Sequence, residues 1–254
     1  MFLTAATGSR RPTELQRLYE EVETLRQRID GPYYLSDVSA DGRWPDRGIY
    51  IFFDPNTNFS SPASQWSISR IGTVGDCKGS SATLWERLRA HRGTRRGQYQ
   101  NGGNHRGSVF RRHVGEALIR QDGLEGEYPH WGVPHRSLSD EIDTQTLRKS
   151  EHPLEQRVSD YIRSLPFLWI DVPGDPGPDC ERAMLEKNLI GLVAHGRKTV
   201  PGLIRNDWLG RSAAAASITR TGLWNLDHTA GLFDRNVIDG FREYVQETQP
   251  LNSD

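Results

Sequence analysis

Residues 70–91 read R-I-G-T-V-G-D-C-K-G-S-S-A-T-L-W-E-R-L-R-A-H. The stretch predicts the end of a strand, a turn punctuated by Gly72, Gly75 and Gly79, and a short helix. Ser80, Ser81 or Thr83 can cap that helix, which leaves Glu86 in its first turn, where an acid favours the helix dipole. Leu84 and Leu88 give it an inner edge. Arg87 and His91 lie one helical turn apart and project from one face. A guanidinium beside an imidazole near a glycine turn suits an anion, phosphate first among them; a solvated helix face is the bland alternative.

Upstream, Gly48–Phe53 (G-I-Y-I-F-F) is a short strand of β-branched and aromatic residues, closed by Asp54-Pro55-Asn56. Gln65–Ile71 alternates Trp66, Ile68 and Arg70 with Ser67, Ser69 and Ile71, so the two runs predict an antiparallel hairpin. Pro12 to Ile29 predicts an amphipathic helix with Leu15, Leu18, Val22, Leu25 and Ile29 on its stripe, ended by Gly31-Pro32. That stripe suits packing on the same chain, or a coiled-coil seam between two copies.

Downstream, Gly93–Gly107 is a polar, glycine-rich loop expected to be flexible and to lie along a phosphate backbone. Ser108–Arg120 predicts a helix with Val109, Phe110, Val114 and Leu118 inside, and 121–149 an irregular insertion. Pro153 suits the first turn of a further helix striped by Leu154, Val158, Tyr161, Ile162 and Leu165. Phe167–Val172 is apolar enough for a central strand. Asp179 can cap a helix running to about Ala194. In it Glu186 shares an apolar stripe with Leu189, Ile190 and Val193, where a carboxylate needs a partner or a metal unless it sits at the stripe's edge. Residues 201–216 read as a connection, Thr221–His228 as a compact polar-aromatic cluster, and Phe233, Val237, Phe241 and Val245 as a closing helix before a tail at 249–254.

The formal charge is −1 and the pI about 6.7, so no global field announces nucleic acid. The distribution does. From Lys78 to His113 the only acid is Glu86, while Arg89, Arg92, Arg95, Arg96 and Arg106 lie in the same span, with Asn104 and His105 beside them. A local basic block rich in arginine answers to phosphate backbones. Cys77 and Cys180 offer neither a disulfide framework nor a zinc ligand set and fit a reduced cytosol. The first residues lack the pattern of a signal peptide, and no apolar run is long enough to span a bilayer. Both point to a cytoplasmic protein without a membrane partner.

The order of these parts resembles the GIY-YIG nuclease superfamily. Gly48-Ile49-Tyr50 matches its first strand motif literally. Arg70-Ile71-Gly72 occupies the second motif, with arginine in place of tyrosine. The next helix carries Arg87 and His91, as in members with an Arg-x-x-x-His helix. Glu186 looks like the family's metal-binding glutamate, and Asn225, in Gly-Leu-Trp-Asn, like the asparagine that closes the module. The resemblance spans about Gly48 to Asn225, with large insertions.

It implies an α/β (α+β) core, a small antiparallel sheet of three strands flanked by helices. Residues 1–46 would be an N-terminal helix and linker, 47–228 the nuclease domain with insertions at about 93–165, and 229–254 a closing helix and tail. The activity implied is divalent-metal-dependent hydrolysis of double-stranded DNA. Mg²⁺ (or Mn²⁺) would sit on Glu186, Arg87 and Arg70 on the phosphate. Tyr50 would act on the water, assisted by His91, and Asn225 would support the metal site. Lys78 and the basic block would bind the backbone. A restriction or defence enzyme, a structure-selective repair nuclease and a non-cleaving binding module remain distinct readings, and a homodimer through the N-terminal helix is the oligomer it allows.

Overall fold

The computed structural model describes residues 13–199 and 204–251; the expectations for residues 1–12, 200–203 and the last three residues of the tail lie outside them. Four strands form one antiparallel sheet: β1 (Tyr33–Tyr34), β2 (Gly48–Phe53), β3 (Ile68–Thr73) and β4 (Pro166–Asp171), in the order β1-β4-β2-β3. The expected three strands are all present. The fourth, β1, follows the first helix and pairs Tyr33 with Phe167, a two-residue edge too short for periodicity to reveal. β2 is central and buried along its whole length, which explains its unbroken apolar run. β3 starts at Ile68 rather than Gln65, because Ala63–Gln65 closes a 3-10 turn and the register shifts between Phe52 and Phe53.

The described residues contain eight α-helices: α1 (Glu14–Arg28), α2 (Leu84–Arg92), α3 (Val109–Asp122), α4 (Thr144–Ser150), α5 (His152–Ser164), α6 (Glu181–Thr199), α7 (Ala216–Thr221) and α8 (Val237–Glu247). Thr13 caps α1 in a reciprocal box with Gln16. Its stripe of Leu18, Val22, Leu25 and Ile29 is fully buried against α8, α6 and β4. The seam is therefore spent within the chain, which corrects the coiled-coil alternative and leaves α1 no apolar stripe to offer a second copy.

Two buried arginines clamp α6 to the sheet. Arg182 donates to the carbonyls of Val74, Val172, Pro173, Gly174 and Asp175, the ends of β3 and β4. Arg197, at the far end, donates to the carbonyls of Ile68, Thr221 and Gly222. A fully buried guanidinium offers five donors, and carbonyl dipoles satisfy them where no carboxylate does. Between these anchors α6 lies along β3 and brings Glu186 to it.

The glycine-rich loop 93–107 is packed at both its ends. It wraps Arg111 of α3, which is wholly buried and donates to the His91 carbonyl (2.8 Å), to Glu155 Oε2 (2.5 Å) and to Ser159 Oγ (2.9 Å). Gly103 packs so closely on that guanidinium that any β-carbon there would overlap it. Burial pushes the Glu155 carboxyl up, but bonds from His105 and Arg111 outweigh it and hold the group below the usual carboxylate range. The ion pair thus joins α3 to α5 within the insertion, and Arg111 ties both to α2 through the His91 carbonyl.

Candidate active site

Tyr50, on β2, is fully buried with its ring laid across Gly72 of β3, its cross-strand partner. Its hydroxyl lies 2.9 Å from His91 Nε2. His91 reaches it from α2, whose first turn is fixed by a capping box between Thr83 and Glu86. The other ring nitrogen, Nδ1, is 3.0 Å from Ser108 Oγ, the cap of α3. Burial, then the charges of Arg70, Arg87 and Arg111, push the His91 pKa well below its ordinary value, so the ring is neutral. A neutral imidazole has one N–H and one lone pair. With N–H on Nδ1 toward Ser108, the lone pair on Nε2 faces the phenol.

Arg70 and Arg87 line, with His91, a cavity of about 210 Å³ whose far wall is Ser108–Phe110 of the start of α3. Arg70 stacks over Phe110 (4.8 Å) and donates Nη1 to the Trp224 carbonyl (2.5 Å), while its Nε is buried with no partner. Among the described residues no hydrogen bond or ion pair claims the Arg87 guanidinium. An orphaned donor and an unclaimed cation in one cavity are what an anionic ligand would satisfy.

Glu186 is not in that wall. Its carboxyl is half-buried, and burial pushes its pKa up to about 7; Asp76 adds to this, and Arg70, Arg87 and the Thr73 N–H offset part of it. Both arginines of the cavity thus act on the same carboxylate. Glu186 accordingly holds its charge only in part at neutral pH. A half-buried, half-neutral acid with no salt-bridge partner among the described residues is a group that a cation would complete.

Asn225 makes its side-chain contacts with the backbone of β3. Its Oδ1 accepts from the Ile71 N–H (3.2 Å) and its Nδ2 donates to the Ile71 carbonyl (2.8 Å). With Trp224 N–H on the Ser69 carbonyl, it lays residues 224–225 along the edge of β3, covering the strand that carries Arg70. Both polar ends are committed to backbone, so it supports the site through β3 and not through a metal.

The sequence profile described as the GIY-YIG domain matches residues 9–251, nearly the whole chain. The chain belongs to the GIY-YIG family. No curated protein and no solved structure matches it. Tyr50 of Gly48-Ile49-Tyr50 and Gly72 of Arg70-Ile71-Gly72 face each other across β2 and β3.

The basic block divides. Lys78, Arg89, Arg95, Arg96 and Asn104 are exposed. His105 and Arg106 are corrected, because their side chains are spent on carboxylates; Arg92 also turns inward but leaves its Nε without a partner. Arg92 donates to the Val38 carbonyl and stacks on Trp85. His105 donates Nδ1–H to Glu155 and accepts the Gly132 N–H at Nε2, stacked on Trp131. Arg106 forms a two-point ion pair with Glu151 (2.5 and 2.9 Å). Ser108 and Phe110 carried no functional signal in the sequence. Arg111 and Glu155 carried one: each is a charge among the buried residues of its helix, the same sign that marked Glu186.

Proposed function

We propose that this protein is a metal-dependent endonuclease that hydrolyses phosphodiester bonds of double-stranded DNA. One observation carries the reading: the buried Tyr50–His91 pair sits beside a cavity in which two arginines have unmet capacity for phosphate. A module that only bound nucleic acid would have no need of a phenol joined to a neutral imidazole in its core.

The residues fit a divalent cation of the Mg²⁺ type, with Mn²⁺ as the alternative. Among the described residues there is no group of three or more His, Cys, Asp or Glu side chains, so the donor would be the single carboxylate of Glu186. Mg²⁺ tolerates such a site, since it keeps several waters and shares substrate phosphate. When bound, such an ion supplies charge neutralisation for the phosphoryl oxygens and the leaving oxygen.

The chain's own groups do the rest. Arg87, and Arg70 through its free Nε, hold the non-bridging oxygens and oppose the charge that builds on them. Tyr50 orients the attacking water and takes its proton. His91 Nε2 receives the phenol proton in turn, with Ser108 fixing the imidazole by its other nitrogen. Asn225 holds β3, and so Arg70, in register. Arg70 cannot replace a second tyrosine as a base, so proton transfer rests on the one remaining phenol.

A digest of modified and unmodified plasmid with Mg²⁺, with Mn²⁺ and with EDTA tests the reading. Metal-dependent nicking or linearisation is expected. Duplex binding with no cleavage under any of these conditions would transfer the protein to the binding-module class.

A further inference from the structure

α2 has two sides. Arg87 and His91 face the cavity of the candidate active site; Arg89 and Arg92, turned away from Arg87, line another of about 450 Å³. Arg95 and Arg148 complete it, Arg148 coming from α4 in the insertion, and Gly107 belongs to the walls of both cavities.

Four guanidinium groups meet there, and among the described residues none of them is ion-paired with a carboxylate. The nearest acid, Glu86, is committed to the Thr83 N–H in the capping box of α2. Arg92 is buried, with Nη1 on the Val38 carbonyl and Nε without a partner. Burial first, then Arg95, Arg163 and Arg89, push its pKa down to about 10. Arg148 is exposed but held in place over the ring of Tyr99 at 4.0 Å. Folding has thus gathered four like charges around a hollow whose lining holds one carboxylate, that of Glu86, and whose Arg95 donates one bond to the Ser36 carbonyl. An anion with several acceptor oxygens relieves that repulsion and satisfies the open donors.

We infer that this cavity is a second phosphate subsite, which takes a backbone phosphate of the bound DNA other than the scissile one, with Arg148 as the residue by which the insertion completes it. The inference rests on the nuclease reading. It identifies what the insertion contributes: a second hold on the same substrate, on the opposite side of the helix that carries Arg87.

The test replaces single phosphates of a duplex by neutral methylphosphonates, one position at a time. Binding is measured in Ca²⁺ for the unmutated protein, Arg148→Ala and Arg148→Glu. The unmutated protein should lose affinity about tenfold at one or two positions away from the scissile phosphate. Arg148→Ala should lose affinity for unmodified duplex, show no further loss at those positions, and have a salt slope lower by about one. Arg148→Glu should bind more weakly still, with a melting temperature like that of the parent, since the side chain is exposed. If Arg148→Ala matches the parent in affinity, salt slope and methylphosphonate pattern while the parent binds and cuts, this inference fails alone. A parent that does not bind duplex DNA overturns it together with the nuclease reading.

Discussion

The ring of Tyr50 lies across the α-carbon of Gly72, its partner in the neighbouring strand. The glycine of the second motif therefore makes room for the tyrosine of the first, and so for the hydroxyl that meets His91. Gly72→Ala should overpack this contact, costing about 1–3 kcal/mol, and displace the phenol. In a Tyr50→Ala background the same change should cost much less. Urea unfolding of the four proteins of that cycle measures the coupling; additive costs would mean that the two residues do not depend on each other.

Tyr50→Phe removes only the hydroxyl and leaves the ring packed on Gly72 and Phe52. Duplex affinity should be unchanged and single-turnover cleavage should drop by about 10²–10⁴-fold, the range for loss of a positioned acid–base group. His91→Ala should give a similar loss, and the double variant little more, because the two act as a unit. Cleavage at the parent rate by Tyr50→Phe would reduce the residue to packing.

Glu186 gives the pH dependence a sign. Its pKa is about 7 in the folded chain against an ordinary 4.5, so between those values the folded state holds a proton that the unfolded state has lost. Stability from this group is greatest below about pH 4.5 and is lost as pH rises through about 7. Without metal, Glu186→Gln should melt higher than the parent at pH 8, and the gap should close as pH falls toward 4.5. Mg²⁺ should raise the melting temperature of the parent at pH 8 and not that of Glu186→Gln. Cleavage at limiting metal should weaken below about pH 7, where the proton competes with the cation.

Glu155 lies buried beneath Arg111 and His105. Glu155→Ala strands a buried guanidinium and should cost about 3–5 kcal/mol. Because Arg111 also holds the His91 carbonyl, activity should fall with stability. Equilibrium unfolding in urea checks the first effect, and an unchanged midpoint would show that the loop 93–107 is held by other means.

These outcomes divide along the line between what a local pattern reports and what only tertiary packing decides. Arg87 and His91 were legible as a pair because helical spacing alone puts them on one face, and the cavity they share follows from it. β2 was legible from its apolar run, and α1 from its stripe. Arg92, His105 and Arg106 were not, because an arginine reads as surface until its partner is known, and Glu151 and Glu155 lie more than forty residues further along the chain. Arg182 and Arg197 carry no spacing signal, since their partners are backbone carbonyls that every sequence has. The role of Asn225 as an edge clamp on Ile71 was not legible, because it depends on the sheet it closes.

The central claim is that Glu186 holds the cation required for cleavage. The most direct measurement is single-turnover cleavage of duplex DNA by Glu186→Ala in saturating Mg²⁺, beside its duplex affinity in Ca²⁺. Cleavage should fall by several orders of magnitude while affinity stays within a few-fold of the parent, because the change removes the metal's carboxylate and none of the cations that hold the backbone. Cleavage by Glu186→Ala at close to the parent rate would contradict the account.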